Sequence, residues 1–406
     1  MENTETNKVA IDETVPIAET SIYKDMDYSF LKDYDFGGSN ASSVKVTFDS
    51  MEDLKVSQDV RLREGNIIRT KGYYQAGDGG GAVYEISKVA GTGSVQLANG
   101  LYAILLPDTY TRTVNNGSET WVVVNIKQFG AKADGTVASE AAFSTAANFA
   151  NKYMEKNDDV SRGIVYIPTG EYKCDNEVHF DKVKNLNVVG DGSSSVLFTD
   201  NDYRDQEGYA EHFFQSWYSE NMFFGNFRIE ARKVDLYHYM RQLTLLYCNQ
   251  VYIYNVDMIV PQESYSSYYF EDKQYSNFCA YTGNHNVTVD DCTMVQLSGT
   301  YRGANIGILD IWSAKTSNIT VMNCDLYGNA RDEQIGMFST KYESSGISNV
   351  DFINNTIHSS QLKYTDIIGT RTMCFTLAYT ESQNVDDIRI AGNHFICETD
   401  SLGYNQ

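Results

Sequence analysis

The acids that could do chemistry in this chain sit on either side of one loop. Asp310 and Trp312 belong to GILDIW, and the next segment, RDEQIGMF, carries Asp332 and Glu333. If the two segments are strands on successive layers of a stack, their carboxylates approach within roughly 5–10 Å. Cleavage of a glycosidic bond asks for that separation between a proton donor and its nucleophile or base. Trp312 would then supply a flat apolar surface for a sugar ring, with Tyr379 as a further contact. The alternative is a solvated turn, with Trp312 closing the stack.

A basic series accompanies these acids. Arg241 precedes QLTLLY, Lys273 precedes YSNFCAY, Arg302 precedes NIGILDIW, Arg331 precedes QIGMF and Arg371 precedes MCFTLAY; Lys341 follows the fourth of these segments. Cations in a row suit an anionic glycan, whose carboxylates they would neutralise. They also suit β-elimination, in which carboxylate neutralisation acidifies the α-proton and an Arg or Lys acts as base. Calcium enters as a cofactor only if the reaction is elimination. The competing reading gives each Arg to a turn carbonyl or a neighbouring acid.

What could hold such residues in register is a repeated beat. NVTVDDCTMV and NITVMNCDLY place apolar–Thr–apolar before a polar bend and then Cys. Aligning the bend gives Asn226, Asn255, Asp291, Asn323, Asn354 and Gly392, at intervals of 29, 36, 32, 31 and 38 residues. Each beat alternates with the two-residue period of a strand with one buried face, and a second apolar segment precedes it. Repeats of this length without helical spacing predict stacked coils of strands, a parallel β-helix over about residues 160–400. Asn at one corner of every coil can satisfy backbone groups where the strand turns. Cys292 and Cys324 should fall in one buried column with Phe227 and Val256, close enough to bridge if the columns align.

Composition narrows the partners. The net charge of −22 argues against nucleic acid, whose phosphates would be repelled. No apolar run approaches a membrane span of about 18 residues. Thirty Tyr and 19 Phe exceed what a core of this size needs, and surface Tyr suits sugar rings; good strand formation is the plainer reason. Seven Cys show no metal-ligand spacing, and the six His are scattered. Residues 1–20 have no apolar leader, so the chain either leaves its cell by another route, as a virion part would, or has had a leader removed.

Three stretches follow. Residues 1–43 read as a flexible polar arm, 44–120 as a small β-domain with a turn at Gly77–Gly81, and 121–406 as the coil domain. Between strands, Thr136 or Ser139 can cap a helix near 138–154. Its Ala142, Phe143, Ala146, Ala147, Ala150 and Tyr153 form one apolar stripe. Such a helix would close the open end of the first coil.

NIKQFGAKADG, the helix after it and GIVYIPTGEY resemble the pectate-lyase-superfamily domain. The preceding IIRTKGYYQAGDGGGAVYEI resembles the small β-domain often found upstream of it. Together the resemblance covers about 80–406. It implies an all-β, right-handed parallel β-helix of the pectin-lyase fold, as in secreted polysaccharide-degrading proteins and phage tail spikes. It further implies a polysaccharide partner, an extracellular or virion-tail location, and a homotrimer if the chain is a tail spike. The Asp-Asp and Gly-His-Gly signatures of polygalacturonase-type hydrolases are absent, as is a recognisable pectate-lyase calcium set; Asp257 and Asp325 share an outward position two coils apart. The resemblance therefore specifies fold more closely than reaction.

Overall fold

A computed structural model describes residues 23–36, 43–114, 117–200, 212–232, 240–260, 274–296, 302–310, 314–328, 333–339, 346–360, 373–379 and 385–398. From Val160 onward the chain winds through three faces in turn. The first face stacks Val160–Ile167, Lys184–Gly190, the front halves of Glu220–Ala231 and Asn249–Val260, His285–Asp290, Lys315–Met322, Gly346–Ile353 and Val385–Ala391. The second runs from Gly170–Lys173 through Ser195–Thr199 and the rear halves of the two long strands to Thr293–Gln296, Asp325–Gly328, Thr356–Ser360 and His394–Glu398. The third stacks Val178–His179, His212–Trp217, Met240–Leu246, Gln274–Thr282, Arg302–Asp310, Glu333–Ser339 and Met373–Tyr379. Every pairing between successive coils among the described residues is parallel, as in Val287↔Ile319↔Val350↔Ile388, with a register shift between Leu245↔Ala280 and Leu246↔Thr282 on the third face.

Alternation explains the core. Inward positions carry Val, Ile, Leu, Phe and Met, which are β-branched or bulky and fill a closed interior between three faces. Phe227, Val256, Cys292 and Cys324 are all buried in it, and both cysteines are free thiols, not a disulfide. Burial drives the Cys292 thiol well above its ordinary value, so it serves as packing.

The bend residues are explained by backbone geometry. Asn226, Asn255, Asp291, Asn323, Asn354 and Gly392 all have φ between 50° and 68°. That left-handed region suits Gly, Asn and Asp, whose short side chains bond locally. Backbone bonds then step from coil to coil, from Asp291 N to Met322 O, Asn323 N to Ile353 O and Asn354 N to Ala391 O. Where the residue just after the bend is Asn, as at Asn355 and Asn393, it holds the corner from inside. Asn355 Oδ1 accepts from Cys324 N at 2.9 Å, while its Nδ2 donates to Val321 O at 3.0 Å. A second left-handed series opens the first face at Asn185, Asn221, Gln250, Asn286, Asn318, Asn349 and Asp387. In it Asn318 donates to Asn286 at 2.9 Å and Asn349 to Asn318 at 2.7 Å.

The helix Glu140–Met154 lies over the first coil, with Ala142, Phe143, Ala146, Ala147, Phe149 and Ala150 buried. Phe143 meets Tyr172 edge-on, at 5.8 Å between ring centroids. Ser139 stands at the N-cap, but its hydroxyl accepts from Lys132 N and not from the helix. Ahead of the coil, five strands between Val44 and Leu106 form a separate sheet. The hairpin Asp108–Val114 with Gly117–Asn125 belongs instead to the coil, because its second strand pairs in parallel with Val160–Ile167. Continuity with the coil thus begins near residue 108, ahead of the boundary the sequence suggests.

The expectation of a flexible arm does not hold for residues 23–36. Tyr23, Tyr28 and Leu31 are buried against Trp121, Ile164, Tyr166, Val189, Phe223 and Tyr252 on the outside of the first face. Arg162, buried beneath them, donates to Asn187 at 2.7 Å and to Asn221 at 2.6 Å, with its guanidinium 4.0 Å from the Tyr23 ring centroid. Lys24 bonds Asp290 at 3.0 Å farther along. Aromatic burial outweighs the polar composition that suggested a loose segment.

Candidate functional site

The third face is where the sequence places its acids, and its register fixes their backbone positions. Asp310 ends its strand, stacks on Ser339, and Ser339 stacks on Tyr379. These three residues occupy one column on successive coils. Glu333 opens its strand and stacks on Met373. With Ile306 on Ile335, the Glu333 column is that of Ala304, six residues before Asp310. Six strand residues span about 20 Å, so Asp310 and Glu333 stand at opposite edges of the face and not within 5–10 Å. Arg302 pairs with Gln274, whereas Arg241 pairs with Ser276, two positions along. The first members of the basic series therefore lie in different columns, and Arg241 is buried. Trp312, Arg331, Asp332, Lys341, Arg371 and Lys273 lie outside the described residues.

The first rungs of the same face hold a polar cluster that the sequence reading missed. In EVHFD, Val178 and Phe180 point inward, which turns Glu177, His179 and Asp181 outward together. His179 Nε2 lies 3.2 Å from Glu177 Oε2, and Nδ1 lies 3.1 Å from Asp181 Oδ2. Hydrogen bonds to Asp181 and then Glu177 push the imidazole up to about 9, so it is an imidazolium at neutral pH. One coil on, Gln215 stacks on His179; its Nε2 donates to Glu177 at 2.8 Å and lies 3.1 Å from both ring nitrogens. Asp181 Oδ1 also accepts from Trp217 N at 3.2 Å. Gln215 Oε1 and Trp217 Nε1 are buried and have no partner among the described residues.

Aromatic rings flank this cluster at the corner leading back to the first face. Tyr218 and Tyr247, with φ of 54° and 52°, stack at 4.9 Å with an interplanar angle of 3°. Tyr218 is 53% exposed. Gly283 takes the next corner (φ 63°), where a Cβ would come within 2.4 Å of Tyr247 Cδ1. Charged donors and acceptors beside an exposed ring form a surface that can hydrogen-bond sugar hydroxyls and pack against sugar C–H faces. The signal in the sequence was the alternation Glu-x-His-x-Asp, but it occurs once and carries no period.

No group of acids, His and Cys among the described residues is arranged to hold a metal ion. Asp257 and Asp325 do share a column two coils apart, through Thr293, and Asp257 is already bound to Arg228 at 3.0 Å.

Three stacked faces closed by a capping helix define the class: a right-handed parallel β-helix. A family model described as rhamnogalacturonase A/epimerase, pectate lyase-like, matches residues 123–370, more than half of the chain, and the chain belongs to that family. Among solved structures it is similar to tailspike protein 2 of bacteriophage CBA120, at 10% identity and a TM-score of 0.38 over 87% of this chain and 52% of that one. It is also similar to the tailspike of Acinetobacter phage vB_ApiP_P1, at 13% identity and a TM-score of 0.39 over 89% and 74%. A third is Pantoea stewartii WceF, a glycan biofilm modifying enzyme, at 14% identity and a TM-score of 0.31 over 90% and 54%. The chain spans about half the length of the first of these. A search of curated proteins gives no match.

Proposed function

We propose that this chain binds an extracellular polysaccharide along its third face and depolymerises it there. The observation that carries the reading is the corner of that face, where a stacked Tyr pair, Tyr218 exposed and Tyr247 half-buried, stands near a carboxylate–imidazolium–carboxylate cluster. Membership of a rhamnogalacturonase/epimerase family supports it. Asp310 is the favoured acid, because its column with Tyr379 runs along the edge on which Tyr218 and Tyr247 stand. Asp332 and Glu333 are the other proposed acids, each acting separately from Asp310. Trp312, Arg302, Arg331, Arg371, Lys341 and Tyr379 are the proposed substrate contacts. The reading places the chain outside its cell, secreted or on a virion tail, and as a homotrimer if it is a tail spike.

A panel of capsular and pectic polymers tests this, scored for new reducing ends and for absorbance of an unsaturated uronate. Reducing ends alone mark hydrolysis. Both signals, lost on chelation, mark calcium-dependent elimination. Neither signal from any polymer contradicts depolymerisation and leaves a glycan-binding adhesin.

A further inference from the structure

A different part of the molecule offers a site for a negatively charged group. The turn Ile126–Phe129, just after the strand Gly117–Asn125, presents Lys127. The turn is fixed twice over: Asn125 Oδ1 accepts from Lys127 N, and Gln128 Oε1 accepts from Asn125 N, both at 2.9 Å. The Gly77–Gly81 loop crosses directly above it. A Cβ on Gly79 would lie 3.3 Å from Lys127 Cδ, and one on Gly80 would lie 2.5 Å from Lys127 O. Asp78 sets that loop by accepting from the backbone N–H groups of Tyr73, Tyr74, Gln75 and Gly80. Glycine is thus needed for the loop to pass so close, and the lysine stem is held beneath it.

The Lys127 ammonium makes no hydrogen bond or ion pair with any described residue. Burial lowers its proton affinity, while Asp78 and Asp191 act more weakly in the opposite direction. It lines a cleft of about 440 Å³ between the small sheet, the 23–36 segment and the first coil. Lys32, Arg69 and Lys71 line the same cleft together with Tyr34 and Tyr166. Arg69 and Lys71 pair with the exposed carboxylates of Asp35, which itself lines the cleft, and Asp49. On a chain of net charge −22, this cleft gathers four cations, of which Arg69 and Lys71 are already paired. Its volume falls in the range of small-ligand sites, and a half-buried ammonium that no carboxylate touches directly is stabilised by an anion placed against it.

We propose that this cleft binds the carboxylate of an acidic sugar, with Lys127 as the ion-pairing group and Tyr34 against the ring. The assignment rests on the polysaccharide reading above and names its substrate class as an acidic glycan. Isothermal titration of the full chain with galacturonate oligomers, their methyl esters and inorganic phosphate tests it. The acidic oligomers should bind, the esters should bind at least tenfold more weakly, and Lys127→Met should weaken the acidic oligomers by a similar factor. Lys127→Arg should restore most of the affinity. Phosphate binding as tight as the oligomers would overturn the sugar assignment, as would equal affinity in Lys127→Met or no binding by the wild type. Cleavage scored on the same samples separates the two proposals. Oligomer binding through Lys127 without cleavage of any polymer contradicts depolymerisation and supports the cleft. Cleavage with Lys127-independent binding does the reverse.

Discussion

Two corners of the coil share one backbone geometry and fill it differently. Between the first and second faces the left-handed position is held by Asn226, Asn255, Asp291, Asn323, Asn354 and Gly392. Between the third and first faces it is held by Lys182, Tyr218, Tyr247 and Gly283. The bonding is the same in both: Tyr218 N reaches Leu246 O and Tyr247 N reaches Thr282 O at 2.9 Å, as Asn323 N reaches Ile353 O at 3.1 Å. Asn tolerates positive φ, whereas a bulky residue there costs on the order of 1–3 kcal/mol. A stacked aromatic pair returns about 0.5–1.5 kcal/mol. The first corner is filled with the residues its backbone prefers. The second keeps a stacked Tyr pair, Tyr218 exposed, at a net cost in stability, which is expected where the rings have a task other than folding.

Ways to break that comparison can be ranked by size. Phe143→Asp strikes both corners at once by placing a charge under the helix that closes the coil. It should cost about 3–5 kcal/mol, the range for losing a buried aromatic, and an unchanged Tm would contradict the capping role. Asn355→Ala strikes only the Asn corner. Cys324 N and Val321 O lose their partner, so urea denaturation should show a loss of about 2–3 kcal/mol; a change under about 0.5 kcal/mol would mean the corner is held otherwise. Tyr218→Asn sharpens the contrast, because it relieves strain and removes the stack together. Stability should stay within about 1 kcal/mol while oligosaccharide affinity falls at least tenfold. Equal losses of stability and affinity would show that the Tyr pair is structural.

The smallest effect concerns pH. His179 has a folded-state value of about 9 against an ordinary 6.5. Its contribution is therefore fully present below pH of about 6.5 and is lost as pH rises through about 9. With 42% of its side chain exposed, solvent screening keeps the effect small. His179→Gln should flatten stability between those limits, and an unaltered pH profile would remove the ion pairs from the account.

The Asn corner was legible in the sequence because it repeats and because Asn and Asp announce left-handed backbone. The capping helix was legible from the stripe of Ala142, Phe143, Ala146, Ala147 and Ala150, all of which are buried. The segment holding Tyr23, Tyr28 and Leu31 was not, since three apolar side chains spaced irregularly among Asp and Ser mark neither strand nor helix. The Asn185–Asp387 series was visible only in part, at Asn286 and Asn318, because its role is set by bonds between coils. For the acids, adjacent coils were assigned correctly to Asp310 and Glu333, but position along the strand was not. Glu333 opens one strand and Asp310 closes another, and strand ends depend on loops whose lengths vary from coil to coil. The Glu177–His179–Asp181 cluster escaped because a single rung has no repeat to betray it.

The central claim is that the Tyr corner of the third face works on a polymer. It is tested most directly by the initial rate at which wild type and the Tyr218→Ala/Tyr247→Ala double variant shorten an acidic polysaccharide, followed by light scattering after size separation. The account expects the wild type to shorten at least one such polymer and the double variant, still folded by circular dichroism, to do so at least tenfold more slowly. Equal rates for the two proteins, or no shortening by the wild type, would contradict it.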